Sequence, residues 1–417
     1  MQRRRMILAM ILTYMVFAML LNSVGMLILQ SIQSFGADKQ AASVLDAFKD
    51  LPIAIVSFLV ASLLPRLGYR RAMMLGLAMV AVACMAMPLL NSFWITKVML
   101  ATTGAAFALV KVSVYSTVGL LTDDEQAHAS LTSTIEGWFM VGVLAGPWLF
   151  GEFIKLQTSP TDPAWLTVYW VLAALCVAVI VLLANTRLDE HAARDPKDGA
   201  SESFLEMFRL LGRPLVIVFV TAAFLYVLIE QGINTWLPTF NAEILHLPTV
   251  TSVQLASLFA AATAVGRLGS GVVLRFMPWH VLLIGCIVAM AALVLLVLPM
   301  AAGVAAPTSP GWWNAPMAAF AFPLLGLFMA PIYPAINSVV LSALPKARHA
   351  VMTGLIVVFS ALGGTTGSFL TGQTFARFGG ETAFYLSLLP MALLLVTILV
   401  LKRQSARTSV EARPQAA

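Results

Sequence analysis

The chain has 417 residues, 60% of them apolar and 11% charged, with a mean hydropathy of +0.91. A soluble domain carries about 25% charged residues, so this composition excludes one and points to a protein that spans a bilayer. The formal net charge of +6 follows from where Lys and Arg fall around membrane-crossing segments, and a nucleic-acid partner is unnecessary.

Crossing the hydrocarbon core takes about 20 apolar residues in a helix. Twelve such segments follow one another, near residues 6–33, 41–66, 71–91, 93–121, 127–154, 164–185, 213–236, 250–277, 279–302, 311–344, 348–375 and 380–402. Two short breaks, Asn91–Phe93 and Met277–Trp279, divide runs too long for one crossing; without such breaks the count falls to ten or eleven. The first segment starts behind Arg3, Arg4 and Arg5 and outruns the roughly 7 to 15 residues of a cleavable signal core. It reads as a retained helix, with Asn22, Ser23 and Gln30 as its polar members.

The second segment carries Asp46, Lys49 and Asp50 at spacing i, i+3 and i+4, which places them on one helix face in the outer half of the span. Their sum is minus one if all are ionised. The triad is either a charged stripe at the outer mouth or bundle contact, or a place where one acid, Asp46 or Asp50, carries a proton and Lys49 pairs with either. Pro52, just beyond, frees backbone carbonyls, which is tolerated where a helix lines a polar cavity. Pro65-Arg66-Leu67-Gly68-Tyr69-Arg70-Arg71 follows.

The fourth segment holds Lys111 near its middle with Tyr115 one turn on, and the fifth holds Glu136 and Trp138 in Ser133-Thr134-Ile135-Glu136-Gly137-Trp138. An ionised side chain at mid-bilayer costs roughly 2.5 to 3.5 kcal/mol even on a lenient scale, so such groups face a polar interior and mark function. Glu136 is expected to load and release a proton or to touch substrate, unless it is locked in a structural ion pair with Lys111. Lys111 is expected to neutralise Glu136 or to receive an anionic group of the solute.

The longest polar interruption, 186–212, reads as a cytoplasmic tether between an N-terminal six-helix bundle, 1–185, and a C-terminal one, 213–402, with a short tail at 403–417. The seventh segment carries Glu230-Gln231-Gly232-Ile233-Asn234, carboxylate and amides that supply donors and acceptors for hydroxyl groups, or a gate contact. Late in the eighth comes Gly266-Arg267-Leu268-Gly269-Ser270-Gly271, an echo of the stretch after the second. Gly142, Gly146, Pro147 and Gly151 in the fifth are echoed by Gly363, Gly364, Gly367 and Gly372 in the eleventh. Small residues near spacing four let helices approach closely, and repeated halves are a transporter design. Tyr333 and Asn337 in the tenth complete the candidates for a central cavity, together with Asn22, Gln30, Trp138, Gln231 and Asn234; the other reading of such a residue is an ordinary interhelical hydrogen bond.

The side of the chain that carries the N-terminus collects Arg66, Arg70, Arg71, Arg187, Arg194, Lys197, Arg209, Arg213, Arg267, Arg275, Lys346, Arg348, Lys402, Arg403, Arg407 and Arg413 besides the first three arginines; the other side has Lys39, Lys155 and Arg377, with Lys97 at a helix end. This bias places both termini in the cytoplasm. Arg66, Arg70, Arg71 and Arg267 are expected to hold the halves together on that face as a gate, or to report topology alone. The three cysteines lie in predicted spans and the five histidines in loops or at helix ends, so neither a disulfide framework nor a metal centre is expected. No catalytic constellation or phosphate-binding loop occurs, and the chain is read as neither an enzyme nor a cofactor protein.

The twelve-segment pattern, with its basic Gly-Tyr-Arg-Arg after the second, resembles the major facilitator superfamily. Leu21-Asn22-Ser23, Leu67-Gly68-Tyr69, Tyr226 with Glu230 and Gly232, Gly266-Arg267 with Gly269-Ser270, and Tyr333-Pro334-Ala335-Ile336 resemble its fucose:proton symporter family. The resemblance implies an all-α membrane protein with 12 transmembrane helices in two pseudo-symmetric six-helix bundles, working as a monomer in an inner or plasma membrane. It implies alternating-access, proton-coupled uptake of a sugar or sugar derivative, which Lys111 extends to an anionic one. That family carries an acid after its first-helix Leu-Asn pair; here the position is Ser23, so this acid's coupling role is not carried over. Gly142-x-x-x-Gly146-Pro147 also resembles the antiporter signature of drug exporters and keeps proton-driven efflux as the alternative.

Overall fold

The computed structural model describes residues 2–122, 125–186, 188, 212, 214–304, 311–342 and 349–411; of these, the side chains of 58–66, 125–129, 133, 338, 340–342, 349–351, 353–354 and 405–411 are not described. The tether at 186–212 falls almost entirely outside these residues. Among them every regular element is a helix. Eleven are long and apolar enough to cross a bilayer. The helix Leu45–Leu67, 23 residues long, occupies the remaining expected crossing. The chain forms two compact units, Met1–Ala200 and Ser201–Ala417.

In the first unit the helices are α1 Gln2–Leu21, α2 Val24–Phe35, α3 Lys39–Ala42, α4 Leu45–Leu67, α5 Tyr69–Leu90, α6 Phe93–Leu121, α7 Glu125–Ile154 and α8 Val168–Ala184. The second has α9 Pro214–Asn234, α10 Leu237–Glu243, α11 Thr249–Ala256, α12 Leu258–Val273, α13 Trp279–Ala301, α14 Met317–Ala321, α15 Leu325–Met329, α16 Ile332–Ser342, α17 His349–Phe378, α18 Gly380–Tyr385 and α19 Leu388–Glu411.

Several segments expected as single helices are broken. The first, expected over 6–33, stops at Leu21 and restarts at Val24. Asn22 Nδ2 donates to the Ala18 carbonyl at 2.9 Å and Ser23 Oγ to that of Leu20 at 2.7 Å, the side-chain competition with the backbone that ends helices at such residues. The seventh, expected over 213–236, is unbroken and ends at Asn234; α10, with Pro238 in its first turn, follows it as a separate short helix. The second bends at Ser43–Val44, and the eighth at Ser257, whose Oγ bonds the Gln254 carbonyl at 2.6 Å. The tenth breaks repeatedly around Pro323 and Pro331, which lack the N–H a continuous helix needs. The last, expected to end at 402, continues as α19 to Glu411.

Glycines set the closest helix crossings. A Cβ on Gly142 would stand 2.7 Å from the Met15 carbonyl oxygen, joining α7 to α1, while one on Gly104 would overlap the Lys49 carbonyl, joining α6 to α4. In the second unit Gly363 and Gly367 do the same against Phe224 and Leu228 of α9, and Gly266 against Leu327 of α15. First with fifth and second with fourth crossings in one unit therefore correspond to seventh with eleventh and eighth with tenth in the other. The internal echo in the sequence is an echo of contacts.

Candidate functional site

Glu136, on the half-buried face of α7, does not meet Lys111. Its Oε1 accepts a hydrogen bond from the Tyr115 hydroxyl at 2.5 Å. Lys111 is exposed and holds its Nζ 5.9 Å from the centre of the Phe107 ring, and among the described residues no carboxylate lies within ion-pairing distance of it. The expected Lys111–Glu136 ion pair is thus replaced by a Tyr115–Glu136 bond. Lys111 and Tyr115 share a face of α6 one turn apart, and it is the tyrosine turn that lies level with Glu136.

Around this bond lies a narrow gap lined by Tyr14, Val114, Tyr115, Val118, Thr132, Ile135 and Glu136. Two hydroxyls there, Tyr14 OH and Thr132 Oγ1, are buried with no hydrogen-bond partner. Buried polar groups are nearly always paired, so two orphans beside one carboxylate set this spot apart. Tyr14 packs against Phe107 and Phe139, with ring centres 6.1 and 5.8 Å away, and Phe107 against Phe17 at 5.7 Å. Nothing in the sequence singled out Tyr14, because an apolar helix conceals one tyrosine among its core residues.

Asn22 is exposed and uses its amide on the α1 terminus; Trp138 is 44% exposed. Gln30, also a cavity candidate, is fully buried and latches α2 to the loop after α7. Its Nε2 donates to Gln157 Oε1 at 3.2 Å, and Ser34 Oγ donates to Gln30 Oε1 at 2.9 Å. Within that loop the Thr158 amide and hydroxyl and the Ala164 amide hold the Asp162 carboxyl below its usual range. Arg70, expected at a gate between halves, bonds within its own unit: Nη1 donates to the Thr186 carbonyl at 2.6 Å, beyond the end of α8, where a cation meets the helix's negative terminus. Arg71 is exposed, and the Arg66 side chain lies outside those described.

The second unit assembles its own polar cluster. The Tyr226 and Tyr333 rings stack with centres 5.3 Å apart and planes at 28°. Tyr226 OH donates to Glu230 Oε1 at 3.2 Å, and Tyr333 OH pairs with Ser360 Oγ at 3.1 Å. Asn337 hydrogen-bonds Tyr333, and its Oδ1 is buried without a partner. Arg267, exposed and expected at a gate, lies in electrostatic reach of both tyrosines. Gln231 Oε1 accepts from Thr235 at 3.4 Å, and Asn234 is half-buried. Ser360 carried no sequence signal. Asp46, Lys49 and Asp50 form a third, fully internal cluster on α4.

A sequence profile described as the Major Facilitator Superfamily matches residues 6–322. The chain belongs to the major facilitator superfamily. Among curated relatives, the MFS transporter asaE of Aspergillus flavus is 24% identical over 218 residues, 51% of this chain. The match takes in 45% of that relative's own length. Among solved structures, the nucleoside transporter NupG superposes with a TM-score of 0.76 at 12% identity, covering 96% of this chain and 100% of that one. A D-xylose–proton symporter gives 0.71 at 12% identity, over 96% and 97%. The fucose:proton symporter FucP of E. coli gives 0.60 at 16% identity, over 96% and 99%. At these identities the structures bear on the fold alone.

With eleven described helices long and apolar enough to cross a bilayer, this member of the superfamily is a multi-pass membrane protein. Two of its three clusters pair a carboxylate with a tyrosine. Such a bond survives a change of protonation: a tyrosine O–H donates to a carboxylate, and a protonated carboxyl donates to a tyrosine oxygen. Glu136 and Glu230 both have this arrangement.

Proposed function

We propose that this facilitator takes up a small polar solute, a sugar or sugar derivative, by alternating access coupled to protons, with Glu136 as a proton carrier. The observation that carries the reading is the Glu136–Tyr115 bond beside the unpaired hydroxyls of Tyr14 and Thr132. A carboxyl so placed has spare donors to recruit when its charge changes, so protonation alters local hydrogen bonding rather than stranding a charge. The stacked Tyr226–Tyr333 pair with Glu230 and Asn337 supplies apolar ring faces next to donors and acceptors, the combination that suits a polyhydroxylated solute. Gln231, Asn234, Asn22 and Trp138 are further contacts in this proposal, and Lys111, with no carboxylate partner, is available to an anionic solute.

The similar solved structures named for nucleoside, xylose and fucose transport point the same way, since each solute carries sugar hydroxyls. The Gly142–Gly146 stretch, which suggested efflux, makes the α1–α7 crossing and has a counterpart in the second unit, so it gives exporters no separate support. The test begins with a thermal-shift screen of the purified protein against neutral sugars, sugar acids, amino sugars and nucleosides. The stabilising solute is then supplied to proteoliposomes holding a pH-sensitive dye. Wild type is expected to acidify or alkalinise the lumen as solute moves, while Glu136→Gln exchanges solute across the membrane without net proton movement. Normal solute-driven proton uptake by Glu136→Gln overturns the assignment, and stabilisation confined to hydrophobic cations overturns the substrate class.

A further inference from the structure

Asp46, Lys49 and Asp50 on α4 are 0%, 5% and 9% exposed. Lys49 Nζ lies 3.0 Å from Asp46 Oδ1 and 3.4 Å from Asp50 Oδ1, so one ammonium serves two carboxylates. Asp46 Oδ2 is buried and has no hydrogen-bond partner. The triad sits at the tightest point of the α4–α6 crossing, where Gly104 admits the Lys49 carbonyl.

Among the described residues, no countercharge from the helices packed against α4 balances it. α6 offers Lys97, held over the rings of Phe48, Phe93 and Trp94 at 5.6, 4.5 and 5.6 Å, Lys111, turned to Phe107, and Tyr115, bonded to Glu136. α5 offers Tyr69, Arg70 and Arg71 at its start and Cys84 further along; α2 has no titratable residue, and Asp38 and Lys39 precede the bend before α4. The electrostatic interactions that reach Lys49 and Asp50 come from within the triad. Fully ionised, the cluster would bury a net negative charge, which neutralising one carboxylate removes.

We propose that the triad is a proton-binding site that holds one proton at neutral pH, with Asp50 as its carrier. Loading converts the Asp50 carboxylate to a carboxylic acid and takes the cluster from minus one to zero, leaving Asp46 and Lys49 as an ion pair; release reverses both changes. Asp46 keeps its charge because it lies closer to Lys49 and in the first turn of α4, where the helix dipole favours an anion. A sodium ion would need several oxygen ligands at once, whereas the triad has one unpaired carboxylate oxygen and an ammonium already in place. The site gives the protein a second proton carrier besides Glu136. Only this use in coupling rests on the proposed proton-driven transport; the binding itself does not.

Infrared difference spectra of the purified full-length protein, titrated between acid and alkaline buffer, read the carbonyl stretch of protonated carboxyl groups. A band that persists at neutral pH in wild type and in Glu136→Gln, and is lost in Asp50→Asn, is the expected result. Asp50→Asn retains the Asp46–Lys49 pair, so folding is expected to survive, which gel filtration and the amide bands verify. Should the band be lost in Glu136→Gln and kept in Asp50→Asn, the triad proposal fails while proton coupling through Glu136 stands. A band unchanged in Asp50→Asn, or one abolished at constant pH by sodium chloride but not by choline chloride, also overturns the proposal.

Discussion

At the scale of single residues, the two tyrosines near Glu136 make opposite predictions although they are chemically identical. Tyr115 donates the hydrogen bond that Glu136 accepts, whereas the Tyr14 hydroxyl is buried and bonds to nothing. Removing one partner of a buried pair costs about 1–3 kcal/mol because the other is left unsatisfied. Tyr115→Phe is therefore expected to lower the melting temperature of the purified protein clearly. Tyr14→Phe deletes only an orphan and is expected to leave stability unchanged or raise it slightly. Equal losses in the two variants would show that Tyr14 has a partner the structure does not give it. The charges themselves were legible in the sequence, since a Glu or Lys inside an apolar run is anomalous wherever it points. Their pairing was not legible, because Lys111 and Tyr115 lie one turn apart on the same helix face and only tertiary placement decides which reaches Glu136.

At the scale of helices, stability depends on how closely backbones approach. Gly367 and Gly104 each sit where a side chain would collide with a carbonyl of the facing helix, while Gly285, inside α13, has open space where a Cβ would go. Overpacking of a tight contact costs typically 1–3 kcal/mol, occasionally more. An alanine in place of an unconstrained helix glycine gains about 0.5–1 kcal/mol. Gly367→Val and Gly104→Val are thus expected to lower the melting temperature or prevent monodisperse purification, and Gly285→Ala to be neutral or stabilising, as size exclusion and thermal melts would read. Apolar length made the crossings legible in sequence, and glycines at spacing four made close contacts legible without naming their partners. The breaks at Asn22–Ser23 and around Pro323 and Pro331 escaped the sequence reading, because hydropathy averages over the two or three residues at which side chains and prolines take over backbone bonding.

For the whole molecule, the asymmetry of Lys and Arg is the strongest signal of orientation, and it yields a prediction that needs no substrate. Basic residues are held back on the cytoplasmic side during insertion, and an odd number of crossings separates Arg71 from Lys155, Arg275 from Arg377, and Arg377 from Lys402 and Arg403. All three native cysteines are free and buried, so the wild-type protein gives little background to a membrane-impermeant thiol reagent. Arg71→Cys, in the first turn of α5, and Thr161→Cys, in the loop after α7, place a thiol at exposed positions. In intact cells the reagent is expected to label Thr161→Cys and to spare Arg71→Cys, and in inside-out vesicles the pattern is expected to reverse. Labelling of Arg71→Cys in intact cells would invert the assigned topology. It would also move the triad of α4 from the outer to the inner half of the membrane, so that its proton would be exchanged with the cytoplasm and not drawn from outside.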